Sequence, residues 1–132
     1  LRSINQSSRV TAEWIPGATG KEKAKLFQSA HIFVLPTRYK VEAQPLAVIE
    51  AMAWGSAIIT TAVGELPSTV DQGCASIIVK PTAESVAMHL ERLIADDEYR
   101  LEIALAGLRR FSERFNRETY IDNWMEIMSV TE

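Results

Sequence analysis

Three observations predict an α/β fold, a Rossmann-like doubly wound parallel sheet followed by C-terminal helices. Short β-branched runs alternate with helix-forming segments over the first part of the chain. The runs at residues 31–36, 56–61 and 75–79 are largely apolar and unbroken, as strands covered on both faces are. Beyond Pro81 the strand signals stop and only helical periodicity continues. The size fits this class, since 132 residues allow one domain and no second. With 47% apolar and 23% charged residues the composition is that of a globular domain rather than a disordered or fibrous chain.

Residues 10–15 read as a short first strand stopped by Pro16-Gly17, and residues 20–30 as a helix with Ala24, Leu26, Phe27 and Ala30 at helical spacing. Residues 31–36 form the next strand, and residues 37–44 a loop carrying Arg38, Tyr39 and Lys40. Proline is tolerated where a helix begins because the N–H it lacks has no intrahelical partner there, and glycine stops a helix, so residues 45–54 read as a helix between Pro45 and Gly55. A strand at 56–61, a short turn and helix at 64–72 and a strand at 75–79 follow. The last three elements are helices at 82–95, 97–115 and 116–130, with Thr82 and Asn116 as N-caps. Leu101, Ala104, Leu105, Leu108, Phe111 and Phe115 repeat at three and four, as do Tyr120, Trp124, Ile127 and Met128; the Tyr120, Trp124 and Met128 stripe reads as core rather than interface, with exposure of part of it, for want of a partner domain, as the alternative. Arg109, Arg110 and Arg114 read as the solvated side of their helix.

Fourteen basic against seventeen acidic residues give a net charge of -3, which argues against a nucleic-acid surface or a polybasic membrane patch. The single cysteine, Cys74, has no second cysteine for a disulfide, a redox pair or a zinc site, so a reducing cytoplasm is expected. No signal peptide pattern opens the chain, and a start at Leu1 rather than Met points to a piece of a longer protein. His31 and His89 have no nucleophile placed beside them, and Gly17-Ala18-Thr19-Gly20 lacks the spacing and the Lys-Ser pair of a P-loop.

In open α/β sheets ligands bind beyond the carboxyl ends of the strands, which directs attention to the loop after Leu35. That loop enters a helix whose first turn, Pro45-Leu46-Ala47, holds no bulky polar group, so its N–H groups and positive dipole end are open to an anion. Glu50 is the one ionisable residue in 43–64 and lies at the border of an apolar helical face formed by Leu46, Ile49 and Ala53. No basic residue stands at helical pairing distance from it, so ligand hydroxyls are candidate donors to its carboxylate, with a water-facing edge glutamate as the plainer alternative. Glu42 precedes the same helix and can overhang the same end. Two carboxylates around an anion-friendly helix start suit a ligand with phosphate in the middle and hydroxyls on both sides.

The segment Glu42-Ala-Gln-Pro-Leu-Ala-Val-Ile-Glu50 resembles the E-x7-E segment of retaining GT-B glycosyltransferases of family 4, the "glycosyl transferases group 1" type. The strand ending at Pro36-Thr37, the Val63-Gly64-Glu65-Leu66-Pro67 turn, and Asp71-Gln72-Gly73 followed by Ile77-Ile78-Val79 are similar to the neighbouring elements of that family, in the same order. The resemblance implies the C-terminal half of a GT-B fold, a single N-terminally truncated nucleotide-sugar-binding domain over residues 1–132 with 97–132 as a helical C-terminal extension. It implies that Glu42 is the catalytic carboxylate facing the donor sugar and that Glu50 binds ribose hydroxyls. Backbone N–H groups of Gln44, Leu46 and Ala47 would meet the diphosphate of a nucleoside diphosphate sugar, with no bound metal and no separate cofactor.

The sugar would pass with retained configuration to a glycan, lipid or small-molecule acceptor. The other implied partner is the N-terminal domain of the same protein, which supplies acceptor binding and any peripheral membrane contact, so the chain alone is expected not to turn over substrate. Two departures bear on specificity. The family's Gly-Phe-Gly is Ala43-Gln44-Pro45 here, where Pro45 has no N–H to donate and Gln44 brings a polar side chain. Ser68 and Ser76 stand where the family often has glutamate and glycine. A GT-B sugar-nucleotide epimerase and a receiver-like or regulatory nucleotide-binding module are the competing readings; the latter lacks an aspartate at its strand ends.

Overall fold

The computed structural model describes residues 11–71, 73–78 and 80–129, so Val10, Gln72, Val79 and Val130 of the segments above lie outside the described residues. The elements are α1 (Gly20–Ser29), β1 (Ile32–Leu35), α2 (Leu46–Ala53), β2 (Ala57–Thr61), α3 (Leu66–Val70), β3 (Ser76–Ile78), α4 (Ala83–Ala95), α5 (Asp97–Arg114) and α6 (Arg117–Ser129). The three strands form a parallel sheet in the order β1-β2-β3, with Ile32 opposite Ala57 and Ile59 opposite Ser76. The first strand expected at 10–15 is not seen over residues 11–15, which carry no regular secondary structure and run directly into the Pro16-Gly17 turn.

Side-chain alternation divides the core between the two faces of the sheet. Phe33, Leu35 and Ile58 face one cluster with Val48, Ala51 and Met52 of α2 and Leu66 and Val70 of α3. Ile32, Val34, Ala57 and Ile59 face the other, with Leu93 of α4 and Ile103 and Ala104 of α5. Complete burial of a side chain such as Ile58 contributes about 2 kcal/mol. β2, bonded on both sides, is buried along its whole length, whereas β1 is only half-buried, having a strand neighbour on one side alone among the described residues. An unbroken apolar run therefore marks a strand with both faces covered without saying whether it is central.

α5 joins the two clusters: Ile103 and Ala104 enter one, Ala106, Phe111 and its C-cap Phe115 the other. Gly107 permits the crossing, since a Cβ there would stand 3.3 Å from Met52 Cγ. The buried line is thus Ile103, Ala104 and Gly107, and Leu101, Leu105 and Leu108 of the expected apolar face are exposed. The Tyr120, Trp124, Ile127 and Met128 stripe is also exposed, because α6 packs at the margin and buries no residue. Thr82 and Asn116 do cap: Thr82 Oγ1 accepts from Ser85 N at 3.2 Å and Asn116 Oδ1 from Thr119 N at 2.8 Å.

Candidate functional site

The site is built at the carboxyl end of β1, and side chains of β2 fix its loop. Thr60 Oγ1 donates to the Leu35 carbonyl at 3.0 Å and Thr61 Oγ1 to the Thr37 carbonyl at 2.7 Å. These two buried hydroxyls of β2 tie down the end of β1 and the start of the loop that follows it. On its outer side the loop is tied by Arg38, which donates to the Pro81 carbonyl at 2.5 Å.

Glu42 is held by its backbone. Its N–H donates to the Tyr39 carbonyl at 3.0 Å, and its own carbonyl accepts from Glu65 N at 2.9 Å. Gly64 makes that approach possible: at φ +52° it adopts a backbone that L side chains rarely take, and a Cβ would fall 1.9 Å from the Glu42 oxygen. The side chain is half-buried, with the Thr37 hydroxyl 3.4 Å from Oε2, a weak hydrogen bond at that length.

α2 starts one residue later than expected, with Pro45 outside it as N-cap and no side chain capping its first turn. The first backbone bond recorded there runs from Val48 N to the Pro45 carbonyl, so the N–H groups of Leu46 and Ala47 are among those a helix start leaves over. Leu46 is 71% exposed and Ala47 half-buried. The inward face of α2 is Val48, Ala51 and Met52 rather than Leu46, Ile49 and Ala53, a shift of the wheel set by where the two neighbouring strands lie. Gln44 is exposed and borders an open cavity of about 330 Å³ whose other side is Ser68, Arg114, Thr119 and Asn123.

Glu50 has a basic partner that helical spacing alone does not show. Lys23 of α1 places its Nζ 2.7 Å from Oε1 and 2.7 Å from Oε2, the two side chains remaining 41% and 39% exposed. Oε2 itself is buried, and among the described residues the Lys23 charge is its one counterpart, with no hydrogen bond of good geometry. In the sequence Lys23 looks like one of several solvated lysines of α1; the one cue is Phe27 a helical turn later, over whose ring the ammonium lies at 5.9 Å. The loop and first turn therefore carry Glu42, Gln44, Leu46 and Ala47 together, and Glu50 stands one turn further along α2, turned to α1.

Arg110 belongs to the scaffold rather than to the solvated set. It donates to the Thr69 carbonyl at 2.6 Å, to the Ser68 carbonyl, and to Asp71 Oδ2 at 2.9 Å. Burial pushes the Cys74 thiol above its ordinary value while the Arg110 charge acts in the opposite direction, and the net rise favours the protonated thiol. No cluster of metal-ligating side chains occurs among the described residues, and no helix there is long and apolar enough to cross a membrane.

Residues 7–110 match the model of the family described as Glycosyl transferases group 1. The chain is 34% identical over 104 residues to a sucrose synthase of Acidithiobacillus caldus, a match covering 75% of this chain and 13% of that protein. Among solved structures, the sucrose-phosphate synthase of Thermosynechococcus elongatus superposes with a TM-score of 0.74 at 26% identity, over 98% of this chain and 33% of the other. Anabaena Alr3699/HepE, solved in complex with UDP, shares the fold with a TM-score of 0.76 at 18% identity, over 84% and 30% of the two chains. The chain thus spans well under two thirds of the proteins it matches. Its parallel strands and flanking helices are those of GT-B glycosyltransferase structures, and the chain belongs to the glycosyl transferases group 1 family.

Proposed function

We propose that the chain is the donor-binding, C-terminal domain of a retaining GT-B glycosyltransferase of family 4, acting on a nucleoside diphosphate sugar. The observation that carries this reading is the start of α2: an uncapped first turn with Glu42 before it and Glu50 one turn inside it. The N–H groups of Gln44, Leu46 and Ala47 receive the diphosphate, where charge grows as the bond from the anomeric carbon to the phosphate oxygen breaks. An acceptor hydroxyl oxygen forms the new bond to that carbon, and its proton passes to the departing phosphate oxygen. Glu42 faces the donor sugar, and Glu50 accepts from ribose hydroxyls, for which the half-exposed carboxylate has room. Gln44 adds a polar group beside the sugar. Family membership supports the donor class, and the UDP held by Alr3699/HepE supports a nucleotide on this fold. The acceptor and its binding residues belong to an N-terminal domain, and the buried lone thiol of Cys74 suits a reducing cytoplasm.

The test is a thermal-shift and NMR titration of the chain with UDP-, GDP- and ADP-sugars. A ligand at 100 times its dissociation constant adds about 2.7 kcal/mol of stability. One of the three is expected to bind, with the α2 first-turn amides shifting, and Glu50→Gln to weaken it about tenfold. Equal binding by Glu50→Gln would remove Glu50 from the site, and no binding by any of the three would remove the donor reading.

A further inference from the structure

We propose that Lys23 is a positioning residue of the nucleotide site, one that fixes the Glu50 carboxylate as the acceptor for a ribose hydroxyl; the inference rests on the role given to Glu50 above. An exposed ion pair ordinarily joins neighbours on one helix and contributes little. This one joins α1 to α2 across 27 residues of sequence, with Nζ at 2.7 Å from each oxygen. The lysine stem has a foundation: its ammonium lies 5.9 Å from the Phe27 ring centre, and Phe27 stacks on Phe33 of β1 at 5.8 Å and 30°. The charge that reaches Glu50 is therefore braced against the sheet.

The effect on Glu50 is geometric. Oε2 is buried under the ammonium, so the 39% of the side chain that remains exposed lies elsewhere, and the carboxylate cannot turn without breaking the pair. A carboxylate also accepts a shorter and stronger hydrogen bond from a ligand hydroxyl than a neutral oxygen does. A ligand hydroxyl then meets an acceptor whose rotamer is already chosen, and binding is not charged the cost of ordering it. Glutamate has three side-chain torsions, so a bare Glu50 would scatter its two oxygens over several rotamers. The ligand chemistry this favours is a vicinal diol of the ribose kind, and the consequence is discrimination between ribonucleotides and 2′-deoxyribonucleotides.

The experiment compares the chain with Lys23→Met, which keeps an apolar stem over Phe27, and Lys23→Arg, which keeps the charge. Each is titrated by NMR with UDP, GDP and ADP and with their 2′-deoxy counterparts, and its melting temperature is recorded. The chain is expected to prefer the ribonucleotide about tenfold. Lys23→Met is expected to bring that ratio close to one at an almost unchanged melting temperature, and Lys23→Arg to restore it. A Lys23→Met chain that keeps the full preference overturns the inference while leaving the Glu50 reading intact. If the unsubstituted chain binds both sugars alike or binds none of the nucleotides, the Glu50 reading itself fails and the inference with it.

Discussion

At the scale of single residues the candidate site depends on one missing methyl group. Gly64 sits at φ +52° with the Glu42 carbonyl where its Cβ would be, so a side chain there must both adopt a strained backbone and push the Glu42 loop away. Gly64→Ala is expected to cost about 3 kcal/mol in urea denaturation. It is also expected to shift the amide resonances of Glu42 and Glu65, which share a hydrogen bond. An alanine chain of unchanged stability and unchanged Glu42 shifts would contradict the contact. As candidates, Glu42 and Glu50 stand out in the sequence, because carboxylates around an apolar helix start are conspicuous by their chemistry. Lys23 does not, since the pairing is set by how α1 lies on the sheet, and no local spacing encodes a contact across 27 residues. The absence of a basic residue at helical distance was a true reading of α2 and an incomplete account of what surrounds Glu50.

At the scale of elements, α3 shows how a very short helix is kept in place beside the site. Five residues cannot hold a helix alone, and its last carbonyls have no partners within it. Arg110 of α5 supplies them, bonding the Ser68 and Thr69 carbonyls and Asp71 with a side chain that is mostly buried. Arg110→Ala is therefore expected to destabilise by about 2 kcal/mol, and Arg109→Ala, next to it and exposed, by under about 0.5 kcal/mol. Equal effects of the two, read as urea midpoints, would show that the clamp contributes nothing. Most element types and their order were readable from periodicity and punctuation, and the caps at Thr82 and Asn116 were readable from residue type. What periodicity did not decide was which side of an all-round apolar helix turns inward. α5 has apolar residues on several sides, and the close approach at Gly107 selected Ile103 and Ala104 over Leu101 and Leu105.

At the scale of the whole molecule, the two clusters on either face of β2 carry the stability, and α6 adds little to either. All of its residues are at the surface or partly so, with Trp124 still 49% exposed. Removing residues 117–132 is expected to lower the melting temperature by less than about 4 °C. A larger drop would mean that α6 packs more closely than its exposure indicates. The parallel sheet and its two covered faces were legible from the alternation of strand and helix signals; the strand order β1-β2-β3 was not, because it depends on which strand neighbours which. The contact between Gly64 and Glu42 has one further consequence, for how such domains diverge. The backbone of Glu42 is anchored by the turn after β2, so the two loops form a single structural unit. A change within residues 37–44 that moves the Glu42 backbone must also move the Gly64 turn against which its carbonyl rests. Chimaeras between relatives should exchange the β1 and β2 loops as a pair.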